Sequence, residues 1–129
     1  MFLLNVLPEL FAICRLKAQD PLPNWATNGS LFSVTRTSDE LSIICPQTIV
    51  PESVLADRDW RALKVKGPLD FALVGVLAEL AGLLAAAKVS IFAISTFDTD
   101  YILVKEEKLK RAVEALAIAG HQVSRETIR

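Results

Sequence analysis

The residues best placed to do chemistry are two carboxylates, Asp98 and Asp100, set between short apolar runs in IFAISTFDTDYILVKEE (Ile91–Glu107). A carboxylate is an acceptor-only group that suits an ammonium donor. Binding an amino acid needs a charged acceptor for the amine, and Asp100 at a strand start supplies one. It also needs backbone N–H groups or a cation for the carboxylate. A helix N-terminus offers the former, because its first N–H groups lack intrahelical partners. The turn Gly67-Pro68-Leu69-Asp70-Phe71 leads into such a helix. Ser95 and Thr96 can bind polar ligand atoms or bond within the hairpin. A glycosidase pair would need a defined carboxyl separation across a sugar cleft, and nothing in the sequence shows one. The plain alternative is a polar turn whose acids face water.

Other reactive side chains are few. His121 is the only histidine, so a site built on several histidines is excluded. It follows a helix stop and is expected to be an exposed or partly buried strand residue. Cys14 and Cys45 lie in strand-like runs and read as reduced core residues. No CxxC or Cys/His cluster suggests a metal, and no cofactor is expected. Trp25 and Trp60 read as packing residues. Lys105, Lys108, Lys110, Arg111, Glu106, Glu107 and Glu114 read as a solvated helix face.

Positioning these groups falls to elements that are clearest in the second half. Trp60–Lys66 partly alternates and suits a strand. After a turn at Gly67–Leu69, the residues Leu73, Val76, Leu77, Leu80, Leu83 and Leu84 fit a helix over Phe71–Ala87, buried on most sides. Ser90–Phe97 is rich in β-branched and aromatic residues. Asp98 and Thr99 make the turn, and Tyr101–Val104 returns. Glu106–Ala119 reads as a helix stopped by Gly120, and His121–Ser124 as a short last strand. The order is β-α-β-β-α-β, a split βαβ pattern.

The first half reads as a weaker copy: a strand at Phe11–Leu16, a Pro-rich loop, a hairpin of Leu31–Thr37 and Leu41–Cys45, and a short helix at Pro51–Ala56. LFSVTRTSDELSIICPQ, from Leu31, aligns with IFAISTFDTDYILVKEE, from Ile91, at an offset of 60 residues, with Glu40 over Asp100. Repeated chemical classes at a fixed offset suggest two related units. The stretch WRALKVK could close one unit or open the other.

At 129 residues, 52% apolar and net charge −1, the chain suits one compact domain or two very small ones. No dense Lys/Arg block points to nucleic acid or an anionic membrane. The start, MFLLNVLPELFAIC, resembles no targeting signal. The apolar stretch Phe71–Val89 carries Glu79, Gly75 and Gly82, and reads as a buried helix rather than a membrane span. A cytoplasmic location is expected.

The Asp98-Thr99-Asp100 triplet is similar to the DxD of haloacid dehalogenase-like phosphotransferases. Those enzymes need further acidic and basic residues on later strands, and the 29 residues after Asp100 read as one helix and a short strand.

A broader resemblance lies in the GPLDF turn, the LVGVLAELAGLLAAAKVSIFAIST run and the TDYILV strand. Together they resemble the ACT-domain family, specifically its CASTOR-type branch, across the second half of the chain. The first half fits a preceding ACT-like unit more loosely. The resemblance implies an α+β fold of two ferredoxin-like βαββαβ units side by side, with antiparallel sheets and helices on one face. The units would be residues 1–59, degenerate with a short first helix, and residues 60–129. It implies regulatory binding of an amino acid without catalysis, and a homodimer. Gly67, Phe71, Ala72 and Leu73 from the turn and helix start, with Ser95, Thr96, Phe97, Asp98 and Asp100 from the strand edge, would line the pocket. Only Asp70 precedes the apolar helix start, so a neutral amino acid is expected rather than an arginine-like ligand. The competing expectation is a protein-interaction or dimerisation module that binds no ligand.

Overall fold

The computed structural model describes residues 1–67 and 75–125. The expected site residues Phe71, Ala72 and Leu73 lie outside the described residues, and the described helix begins at Val76 with Gly75 as its N-cap, not at Phe71 as expected. The described strands are β1 (Leu3–Leu16), β2 (Ser33–Arg36), β3 (Leu41–Pro46), β4 (Ala56–Val65), β5 (Phe92–Ser95), β6 (Asp100–Lys105) and β7 (Gln122–Arg125). Two α-helices, α1 (Val76–Ala86) and α2 (Leu109–Ile118), follow β4 and β6. Among the described residues, no helix is long and apolar enough to cross a membrane. The chain divides into a smaller unit, Glu9–Trp60, and a larger one, Met1–Pro8 with Arg61–Arg129. The division falls inside β1 and β4, so each of these strands contributes one half to each unit.

In the larger unit the strands run in the order β7-β1-β4-β6-β5. β5 and β6 form an antiparallel hairpin. β7 instead pairs in parallel with β1, from Leu3 opposite Gln122 to Val6 opposite Arg125, an exception to the antiparallel sheet expected from the sequence. The chain start, not β7, lies beside β4, where the Lys66 N–H donates to the Leu3 carbonyl at 2.7 Å. Leu4 and Val6 of β1, Leu63 and Val65 of β4, and Ile102 and Val104 of β6 present one apolar face, because side chains alternate along a strand. Against it pack Val76, Leu80 and Leu84 of α1 and Leu109, Ala112 and Leu116 of α2. Burying each Leu or Val here contributes about 1.5–3 kcal/mol.

Both helices end in the same hydrogen-bond motif. After α2, the Gly120 N–H reaches the Ala117 carbonyl and the His121 N–H the Leu116 carbonyl, each at 3.0 Å, with Gly120 at φ 96°. After α1, the Lys88 N–H reaches Ala85 and the Val89 N–H reaches Leu84, each at 2.9 Å. Here a lysine takes the left-handed position, at φ 62°. This pair of bonds is the Schellman stop, which caps the last carbonyls of a helix.

The smaller unit has the strand order β2-β3-β1-β4. Its crossovers are 3-10 turns, Asn24–Thr27 and Gln47–Ile49, rather than α-helices. The helix expected at Pro51–Ala56 does not form: Ala56 already begins β4. The core holds Ala12, Cys14, Ala26, Leu41, Ile43, Cys45 and Val50. Both cysteines are free and buried, as expected. Inside β4, Asp59 takes the left-handed conformation at φ 67°. Gln47 holds it: the Asp59 N–H donates to Gln47 Oε1 at 2.6 Å, and Gln47 Nε2 donates to Asp59 Oδ1 at 2.9 Å.

The two hairpins are built alike. Arg36 pairs with Leu41 in one, and Ser95 with Asp100 in the other. The Thr37 N–H bonds the Glu40 carbonyl at 2.9 Å, and the Thr96 N–H bonds the Thr99 carbonyl at 2.8 Å. These equivalences give an offset of 59 residues, which corrects the 60 read from the sequence. Sliding a strand by one residue turns every side chain to the other face. The counterpart of Asp100 is therefore the buried Leu41, not Glu40. What repeats is Thr-x-Asp: Thr37-Ser38-Asp39 and Thr96-Phe97-Asp98.

Candidate functional site

The β5–β6 hairpin carries six residues in sequence, Ser95 to Asp100, five of which the sequence singled out. Thr96 builds the turn. Its Oγ1 donates to the Thr99 carbonyl at 3.0 Å and accepts the Thr99 N–H at 3.2 Å, so most of its hydrogen-bonding capacity is spent inside the hairpin. Phe97 and Asp98 form the exposed tip, with Phe97 80% exposed. Ser95 and Asp100 face each other across the first pair of the ladder. There Ser95 Oγ donates to Asp100 Oδ1 at 2.5 Å. A carboxylate has about four lone-pair sites over its two oxygens, so the serine fixes its orientation and leaves capacity for a cationic donor. The two acids thus part company: Asp98 is exposed, while Asp100 is half-buried and held.

Thr99 reads from the sequence only as part of the turn, not as a site residue. It is 5% exposed, and its hydroxyl donates to the carbonyl of Val65 at 2.6 Å. Val65 is the last residue of β4, two before the exposed Gly67. This bond ties the loop of the hairpin to the end of β4. The signal was present as a threonine repeated around the acids, but the eye is drawn to the carboxylates. Next to Asp100, Tyr101 lies under the Lys64 ammonium, 5.9 Å from the ring centroid.

His121 was expected at or near the surface and instead is 5% exposed, just before β7. Its Nδ1 accepts the Phe2 N–H at 2.9 Å, and its Nε2 lies 2.9 Å from Glu79 Oε2. The acceptor role at Nδ1 fixes the tautomer, leaving Nε2–H to donate to the carboxylate. The ring stacks on Phe2 with centroids 5.3 Å apart. The histidine therefore ties the chain start to α1. Among the described residues no cluster of His, Cys, Asp or Glu could hold a metal ion.

A helix-covered, largely antiparallel sheet of this kind recurs in solved structures. The crystal structure of protein Atu0741 from Agrobacterium tumefaciens is 36% identical, with a TM-score of 0.94 over 99% of this chain and 96% of that one. The ligand-free regulatory subunit of aspartate kinase from Thermus thermophilus shares the fold, with a TM-score of 0.64 and 11% identity over 93% of this chain and 97% of that one. The ACT-domain model matches residues 55–117, and a second family model, of an N-terminal domain, matches residues 9–53. Residues 55–117 are thus similar to the ACT-domain family. Subunit 1 of the cytosolic arginine sensor for mTORC1, from Bos taurus and from Homo sapiens, is 43% identical over 58 residues. That match spans 44% of this chain but only 18% of the length of those relatives.

Proposed function

We propose that the chain is a regulatory ACT module that binds a neutral amino acid at the β5–β6 hairpin edge and catalyses no reaction itself. The observation that carries this reading is the half-buried Asp100, oriented by Ser95, on a hairpin that Thr99 joins to the end of β4. Asp100 accepts the ligand's amine. The backbone N–H groups of Phe71, Ala72 and Leu73 hold its carboxylate, with Gly67 and the hairpin residues Thr96, Phe97 and Asp98 around it. The relatives support the class of ligand: one is named an arginine sensor and another is a regulatory subunit of aspartate kinase. In this chain Asp70 is followed by Phe71, Ala72, Leu73 and Val74, which favours a neutral amino acid over arginine.

We read both units as ferredoxin-like ACT units, nominally residues 1–59 and 60–129, with β4 closing one and opening the other. The strand order β2-β3-β1-β4 supports this for the smaller unit. A homodimer is part of the proposal, and light scattering of the purified chain tests it.

Calorimetric titration tests the ligand assignment, with a panel of neutral amino acids and arginine against the wild type and Asp100→Ala. A hydrogen bond to a charged group is worth about 1.5–3 kcal/mol, so the variant should bind about ten- to a hundredfold more weakly. Equal affinity for the two proteins would remove Asp100 from the site. The exposed Phe97 favours a second reading, in which the tip contacts another protein and no ligand binds. A ligand at about a hundred times its dissociation constant stabilises a fold by about 2.7 kcal/mol. Unchanged melting with all common amino acids would therefore move the assignment to protein contact.

A further inference from the structure

The proposed ligand site leaves a pair of nucleophiles unused in the smaller unit. Cys14 lies on β1 opposite Ile43 of β3, and Cys45 lies on β3 opposite Ala12 of β1. Residues directly opposite in an antiparallel pair share a face, and so do residues two apart on one strand. The two cysteines are thus diagonal neighbours on the core face, and both belong to the same buried cluster. Diagonal neighbours on one face lie close enough for their side chains to meet. Donation from the Cys45 S–H, helped by the charge of Arg58, holds the Cys14 thiol below its ordinary range despite burial. The Cys45 thiol is pushed up, by this same bond and then by burial. One thiol is thereby suited to attack and the other to follow it.

We propose that Cys14 and Cys45 form a reversible intramolecular disulfide when the chain meets a peroxide. The Cys14 thiolate attacks one peroxide oxygen, and the O–O bond breaks. The departing hydroxide takes a proton and leaves as water, and Cys14 becomes a sulfenic acid. The Cys45 sulfur then attacks the Cys14 sulfur. The S–O bond breaks, and the hydroxyl leaves with the Cys45 proton as a second water. Two thiols and one peroxide give one disulfide and two waters.

The geometry also sets the character of the bond. Diagonal Cα atoms in an antiparallel pair lie about 7–8 Å apart, beyond the usual disulfide range of about 4.4–6.8 Å. Closing the bond needs a small shear of β3 along β1. Only the four-residue β2 lies beyond β3, so the shear is resisted on one side by a short edge hairpin. A bond closed under strain is more easily reduced than a structural one. Since both side chains are buried, its formation waits on local opening of that hairpin.

The test uses the full chain under native conditions, treated with hydrogen peroxide and read by intact mass and peptide mapping. The expected product has lost two hydrogen atoms, carries one Cys14–Cys45 link within one chain, and returns to the starting mass with a dithiol reductant. Cys45→Ser should stop at a sulfenic acid on Cys14 that a sulfenate-trapping reagent captures. Cys14→Ser should show neither the link nor the trapped adduct. Melting curves of both variants confirm that they are folded. A folded wild type that only gains oxygen, links between chains, or stays fully reduced under peroxide that oxidises the unfolded chain would overturn the proposal.

Discussion

Thr99 shows what a single hydroxyl does at this edge. Its bond to the Val65 carbonyl is buried, so no water replaces it when the hydroxyl is removed. Thr99→Val keeps the shape and deletes the donor, and should destabilise the chain by about 1–3 kcal/mol. Thr99→Ser should recover most of that loss, and denaturant unfolding of the two variants measures both effects. Ser95→Ala should act differently, since its partner is the half-buried Asp100 carboxylate. Stability should change by less than about 1 kcal/mol, while ligand affinity falls because the carboxylate is no longer oriented. Equal losses of stability in Ser95→Ala and Thr99→Val would contradict this division of labour. The hairpin acids could be picked out of the sequence because a carboxylate between apolar runs is conspicuous. Their different fates could not, since these depend on which residue pairs with Ser95 and which forms the tip. His121 was less legible still: its partner Phe2 lies at the opposite end of the chain, and sequence periodicity carries no such contact.

At the scale of elements, periodicity found the α1 and α2 helices and the β5–β6 hairpin, because each is local. It missed the first part of β1, where Pro8 and Glu9 interrupt the apolar run although the strand continues through them. It also misplaced the internal repeat by one residue, since apolar classes alone fit two neighbouring offsets and only the ladder decides between them. The two helix stops offer a matched experiment. Lys88 and Gly120 occupy the same left-handed position, one with a side chain and one without. A non-glycine residue there costs about 1–2 kcal/mol, partly offset by the greater entropy that glycine loses on folding. Lys88→Gly should therefore raise stability by roughly 0.5–1 kcal/mol, and Gly120→Ala should lower it by a similar or larger amount. Thermal melts of the two variants should move in opposite directions. A fall in both would mean that the Lys88 side chain contributes more than its backbone strain costs.

For the whole molecule, the consequential feature is that two strands are divided between two units. The sequence suggested a boundary between residues 59 and 60, where the strong ACT resemblance begins. In the structure that boundary lies inside β4, and the larger unit also takes Met1–Pro8 from the other end of the chain. A fragment of residues 60–129 would lack Leu4 and Val6 from its core, the parallel partner of β7, and the Phe2 N–H that His121 accepts. The two side chains alone represent about 3–6 kcal/mol of burial, comparable to the whole stability of a domain this small. The fragment is expected to lose cooperative unfolding and show weak protection of β7 in hydrogen exchange. Restoring Met1–Pro8 to it through a flexible linker should recover both, because the added strand needs only to reach the slot between β4 and β7. Replacing Leu4 and Val6 in that linked strand by serine should abolish the rescue. If the unlinked fragment folded as stably as the full chain, the first strand would be an accessory to the ACT unit rather than a member of its sheet.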